Sequence, residues 1–253
     1  MIGILFRKIL KFLHFKLYSI KKNSLNALWL VLYFPLLKCL GVRRLKAHSF
    51  FDWHNKTIYF SGNYFGTKVF LKCEVGFQKY LINELRIYKI LSEDFEAQKF
   101  LPKLVNTFHL PFGLCIAYKF LKAPNLHEYL NDSNKFKNDE SSCELIGIQL
   151  INIIDHLYKA KVIHRDFRPA NLFVDRGNLI IFDFAFSLNL NDTKQPDFDI
   201  LIDKPLGQHY KPEELKWDDA YSLLKIIEEN NFSFSKEFIN NIKERINRLT
   251  YSW

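Results

Sequence analysis

Apolar and polar residues follow two different periods along this chain, and each change of period marks an element. Lys68-Val69-Phe70-Leu71-Lys72-Cys73 alternates and is β-rich, which predicts a strand. Gly76 to Leu91 switches to a helical period. Lys103-Leu104-Val105 and Leu114 to Tyr118 predict two more strands, joined at Pro111-Phe112-Gly113. Glu144 to Lys159 places Leu145, Ile148, Leu150, Ile151, Ile154 and Leu157 at helical spacing. Leu172-Phe173-Val174 and Leu179 to Phe182 predict a hairpin turned at Arg176-Gly177-Asn178. At the other end, Arg7, Lys8, Lys11, His14, Lys21 and Lys22 keep one helical stripe, with Ile4, Leu5, Ile9, Phe12, Leu13 and Leu17 around the rest. Ala27 to Leu37 is apolar, but eleven residues are too few to span a bilayer, which takes about 20.

Charge changes the picture of that first segment. The net charge of +9 is unevenly held: the first 51 residues carry ten Lys and Arg and no acid, and the remainder carries 26 basic against 27 acidic residues. The basicity therefore belongs to an arm, residues 1–47, and a nucleic-acid surface spread over the body is not expected. Three readings of the arm stay open: attachment to an anionic membrane surface, a helical pair packed on the body, or a targeting peptide. No small-residue cleavage site suggests a secretory signal. The length of 253 residues suits one or two compact units. Cys39, Cys73, Cys115 and Cys143 are scattered without a C-x-x-C pair, which argues against a disulfide framework or a zinc site.

The chemistry concentrates in His164-Arg165-Asp166-Phe167-Arg168-Pro169-Ala170-Asn171, followed by Asp183-Phe184-Ala185 at the end of an apolar strand. One short loop thus offers a carboxylate, a guanidinium and a carboxamide, with a second carboxylate nearby. Phosphoryl transfer uses this set: a group to orient a hydroxyl, a cation for the moving phosphoryl, and oxygen ligands for magnesium. The pattern resembles the protein-kinase signature H-R-D-x-x-x-x-N followed by D-F-G. The resemblance implies an α+β fold of two lobes, with a nucleotide-side lobe at 48–121 and a shortened C-terminal lobe at 122–253 behind the helical arm. It implies Mg-ATP as the phosphoryl source. Asp166 would be the catalytic base, and Arg168 would stand where the family has a lysine facing the γ-phosphate. Asn171 and Asp183 would hold Mg2+. Lys72 would meet the α/β-phosphates, and Glu84 would position Lys72.

The same resemblance orders the remaining elements. Asn63 to Thr67 becomes the turn between strands two and three, Lys56 to Phe60 the second strand and His48 to Trp53 the first. The nucleotide loop then falls at Trp53-His54-Asn55-Lys56, which has no glycine. Tyr118 to Leu121 resembles the hinge, where adenine would bond the backbone near Lys119 and Leu121. Asn125 to Leu130 suits the short helix after it. Tyr210-Lys211-Pro212-Glu213 resembles the end of the activation segment, and Asp219 opens a helix whose aspartate anchors the catalytic-loop backbone. A last helix is expected at about Ser235 to Arg248. Small size, the glycine-free loop and the basic arm resemble compact bacterial sugar kinases, with lipopolysaccharide core heptose kinases nearest. The expected acceptor is a membrane-borne glycolipid sugar, at the cytoplasmic face of the membrane. A serine/threonine protein kinase is the alternative, and a pseudokinase binding module, suggested by Ala185 and the missing glycines, is a third.

Overall fold

The computed structural model describes residues 29–48, 57–74, 80–111, 113–131, 140–192 and 219–229, together with 236–237, 239–241 and 243–244. The chain divides into two units, Met1–Gln78 with Leu104–Phe120 and Lys79–Lys103 with Leu121–Trp253. The α+β plan expected from the sequence is present: a five-stranded antiparallel sheet is followed by a largely helical region. The basic stripe within residues 1–28, the glycine-free loop at Trp53–Lys56 and the Tyr210–Glu213 motif lie outside the described residues.

The first unit holds helix α1 (residues 29–39), β1 (Val42–Ala47), β2 (Thr57–Tyr64), β3 (Thr67–Glu74), β4 (Leu104–Leu110) and β5 (Gly113–Lys119), with sheet order β1-β2-β3-β5-β4. The β2–β3 hairpin turns on Phe65 and Gly66, both left-handed at φ 44° and 82°, as a two-residue type I′ turn requires. Ser61 to Tyr64 belong to β2, so the glycines of this stretch serve a strand and a turn. Gly62 is needed because a Cβ there would lie 2.8 Å from Val42 Cγ1 and 3.0 Å from Arg43 O, where β1 crosses closely. The first described strand is Val42–Ala47, ahead of the position expected, and the expected strand His48–Trp53 lies from residue 49 onward outside the described residues. The physical reason is a bulge between Arg43 and Lys46, with Arg44 at φ 51°, which breaks the period of two.

Odd-numbered β3 residues Val69, Leu71 and Cys73 face a core shared with Ile58, Phe60, Cys115 and Ala117. Helix α1 covers that face. Its Tyr33 and Leu37 are fully buried there, and the Tyr33 hydroxyl donates to Glu74 O. The apolar run expected within the arm is thus part of the sheet's own core from residue 29 onward. Burying such side chains contributes roughly 1.5–3 kcal/mol each.

The second unit contains α2 (Tyr80–Ser92), α3 (Leu126–Asn131), α4 (Glu140–Lys159), β6 (Val162–Ile163), the hairpin β7 (Leu172–Asp175) and β8 (Asn178–Ile181), β9 (Leu188–Asn189) and α5 (Asp219–Glu229). Asn125 and Glu128 cap α3 reciprocally, Asn125 Oδ1 accepting from Glu128 N–H at 2.8 Å and Glu128 Oε2 from Asn125 N–H at 3.1 Å. Helix α4 buries Ile146, Leu150, Ile151, Ile153, Ile154 and Leu157 against β7, β8 and α5. Leu145 and Ile148, expected inward, are exposed. Gln149 pins the β7–β8 turn, donating to Gly177 O at 2.8 Å and accepting from Leu179 N–H at 2.8 Å. Among the described residues no helix is long and apolar enough to cross a membrane.

Candidate functional site

The loop from His164 to Asn171 is fixed from below by buried polar groups. Asp219, at the start of α5, accepts the consecutive N–H groups of His164 at 2.5 Å and Arg165 at 3.0 Å. A charged acceptor for two buried donors offsets the cost of the left-handed Arg165, which sits at φ 66°. The aspartate expected to anchor this loop does so. The fully buried His164 accepts from Asp166 N–H through Nδ1 at 3.2 Å, so its proton sits on Nε2, which donates to Phe182 O at 2.9 Å. The imidazole is a neutral strut between the loop and the segment ahead of Asp183. Phe184 closes over it, ring centroids 5.0 Å apart.

On this base the structure brings Asp166, Arg168 and Asn171 together. Asn171 Nδ2 donates to Asp166 O at 2.9 Å and to Asp166 Oδ2 at 2.8 Å. Arg168 Nε stands 3.2 Å from Asp166 Oδ1, at ion-pair distance although its N–H is not aimed along a hydrogen bond. Asp166 is buried, and Arg168 keeps 24% of its side chain exposed, so the cation can still meet an incoming anion. Asp183 follows at once on this frame: Phe182 N–H donates to Asn171 O at 2.9 Å, and Asp183 itself is left-handed at φ 69°. A non-glycine residue in that region is strained and re-aims its side chain.

The donor set fits magnesium. The Asn171 amide spends its N–H donors on Asp166, which leaves Oδ1 as a neutral oxygen ligand, and Asp183 adds a carboxylate. Two hard oxygen donors suit Mg2+ rather than a soft transition metal. Among the described residues no group of three or more His, Cys, Asp or Glu forms a metal cluster.

Lys72 is placed in the first unit on β3, opposite Tyr59 and Ile116 and on the face away from α1. It is buried, which is unusual for a lysine and weighs against an ordinary exposed strand position. At about 3.4 Å per residue it lies roughly 17 Å along β3 from the Phe65–Gly66 turn. Tyr118 is buried at the end of β5. Phe120 N–H donates to Lys68 O at 2.9 Å, so by the antiparallel alternation the peptide groups of Lys119 point away from β3. Leu121 opens the second unit, half-buried.

Glu84 is buried on α2 in the second unit. Sequence reasoning missed its neighbour Asn83, also buried, whose Nδ2 donates to Ala185 O at 3.1 Å and Ser187 O at 2.9 Å. A polar residue within the apolar run Leu81-Ile82-Asn83 was the available signal. Ser187, whose hydroxyl donates to His164 O at 3.2 Å, carried no sequence signal at all.

Comparison with known proteins agrees with this geometry. The sequence profile of the protein kinase domain matches residues 61–221. The chain is 23% identical over 133 residues to serine/threonine-protein kinase UCNL of Arabidopsis thaliana, covering 50% of this chain and 33% of that protein. It is 29% identical over 135 residues to CBL-interacting serine/threonine-protein kinase 21 of the same plant, covering 50% and 30%. It is also 29% identical over 94 residues to serine/threonine-protein kinase B of Synechocystis sp., covering 36% and 16%. The chain thus spans about a third or less of the length of these curated relatives. A family match over more than half of its residues, reaching from the Lys72 sheet to the Asp219 anchor, makes this chain a member of the protein kinase domain family.

Proposed function

We propose that the chain is an ATP-dependent phosphotransferase whose acceptor is a serine or threonine hydroxyl of a protein. The observation that carries this is Asp166, a buried carboxylate held between the Asn171 amide and the Arg168 guanidinium, one short loop from Asp183. In the proposed reaction the acceptor hydroxyl delivers its proton to Asp166 as its oxygen attacks the γ-phosphorus, and the bond from that phosphorus to the β,γ-bridging oxygen breaks to release ADP. Arg168 balances negative charge on the transferring group, and the pre-set hydrogen bonds mean little reorganisation is needed. Asn171 and Asp183 would hold Mg2+, which when bound neutralises phosphate charge. Lys72 would hold the α- and β-phosphates, Glu84 would position Lys72, and backbone groups at Lys119 and Leu121 would receive adenine.

Retention of Lys72, Asp166, Asn171 and Asp183 favours catalysis over a binding-only role, despite Ala185 and the glycine-free loop. The glycolipid acceptor expected from the basic arm draws no support from the relatives, all three of which are named serine/threonine kinases. The test is transfer of γ-labelled phosphate from Mg-ATP to a mixture of proteins and, separately, to envelope glycolipid. Label on protein serine or threonine is expected. Label on glycolipid alone would return the acceptor to a sugar.

A further inference from the structure

Helix α2 presents one polar row to the segment that follows Asp183. Tyr80, Asn83 and Arg86 lie three residues apart, so they stand one above another on a single helix face. Each meets a part of residues 185–192. The Tyr80 ring packs edge-on against Phe186 with centroids 5.4 Å apart. Asn83 Nδ2 bridges the carbonyls of Ala185 and Ser187. Arg86 forms an ion pair with Asp192 through Nη1 and donates from Nη2 to Asn83 Oδ1 at 2.9 Å. The amide of Asn83 is thereby used at both ends, its N–H donors on the backbone and its oxygen on Arg86.

We infer that Asn83 and Arg86 are positioning residues that clasp α2, and Glu84 with it, to the Asp183–Asp192 segment. The inference rests on the phosphotransferase reading for its kinetic consequence, because Glu84 and Asp183 are there the groups that set Lys72 and the metal. Glu84 directly follows Asn83, and Ala185 lies two residues after Asp183, so any displacement of one segment drags the other. Both segments belong to the same unit. The clasp described is made by side chains of α2 with side chains and carbonyls of residues 185–192.

Three variants test this. Asn83→Leu keeps the volume and removes both bridging hydrogen bonds. Arg86→Asp breaks the ion pair, and Arg86→Asp combined with Asp192→Arg restores it with the charges exchanged. Full-length protein is assayed for kcat and KM of ATP well below its melting temperature, and hydrogen exchange is followed in residues 80–92 and 183–192. The expected result is a fall in kcat of at least tenfold for Asn83→Leu and for Arg86→Asp, with KM for ATP changing less than about threefold. The charge exchange should recover most of the lost kcat. Exchange should accelerate in both segments together. Unchanged kcat and unchanged exchange in Asn83→Leu would overturn the clasp. So would acceleration in only one segment. If the wild type turns over no ATP, the phosphotransferase reading fails, while the paired exchange response still decides the clasp. If Asn83→Leu does not fold, the Arg86 and Asp192 variants decide it alone.

Discussion

At the scale of single residues, the loop is a set of buried donors and acceptors with few substitutes. Asp166→Asn keeps the shape but removes the proton acceptor, and turnover should fall by ~10²–10⁴-fold while nucleotide binding stays nearly intact. Steady-state kinetics beside a nucleotide titration measure both. Asp219→Ala acts differently. It leaves the N–H groups of His164 and Arg165 without their acceptor, each at about 1–3 kcal/mol. A matching fall in unfolding free energy from urea titration is expected, and a fall in activity with unchanged stability would contradict the anchoring role. The loop itself was legible because its functional groups are contiguous in sequence. Asp219 was legible only through resemblance, as its partners lie 54 and 55 residues away. Asn83 was legible only as a polar residue in an apolar run: its partners are 102 and 104 residues distant, and nothing local in the chain points to them.

At the scale of elements, side chains tie segments that the backbone does not pair. Asp94 sits after α2 and caps the turn at Glu96 and Ala97. It also accepts from His156 Nδ1–H of α4, at 2.7 Å. The His156 hydrogen bond is the main cause that holds the Asp94 carboxyl below its usual range, and the two backbone N–H bonds add to it. A depressed folded value means the stabilisation is present above the ordinary carboxyl pKa near ~3.9 and is lost as pH falls through the folded value. Asp94→Asn should therefore lower the urea midpoint at pH 5, and the gap from wild type should close below about pH 4. A gap that does not shrink as pH falls below about 4 would assign the effect to something other than the ionised carboxylate. Periodicity located the central elements but not their phase. In α4 the run Leu145-Ile146-Gly147-Ile148 is apolar on nearly every side, so spacing alone could not choose Ile146 over Leu145 and Ile148. In β1 the bulge set Arg43 and Arg44 side by side and hid the strand.

At the scale of the whole molecule, the arm read from charge and hydropathy does not behave as one piece. Tyr33, Leu37 and Val42 are completely buried in the sheet core, so deleting residues 1–47 should unfold the first unit. Large-to-small truncation at a comparable site costs ~3–5 kcal/mol, and three such losses exceed half of an ordinary domain's stability. Deleting only residues 1–28 keeps Tyr33, Leu37 and Val42, and circular dichroism shows whether the sheet core of the described residues folds without the rest of the arm. Of the three readings of the arm, attachment to anionic membranes would rest on the basic stripe within residues 1–28. Vesicle flotation at low salt should recover the full chain and not the shorter one, since each surface Lys or Arg adds about 1 kcal/mol and is screened by salt. Equal flotation of both would remove the membrane proposal.

The central claim is that Asp166 and its neighbours catalyse phosphoryl transfer from Mg-ATP. Its most direct measurement is transfer of γ-phosphate by purified full-length protein to protein acceptors, run beside Asp166→Asn and in the presence of excess chelator. The account predicts phosphoserine or phosphothreonine with the wild type, and its loss with either the variant or the chelator. A wild-type protein that neither binds Mg-ATP nor transfers phosphate, or transfer that survives Asp166→Asn undiminished, would contradict it.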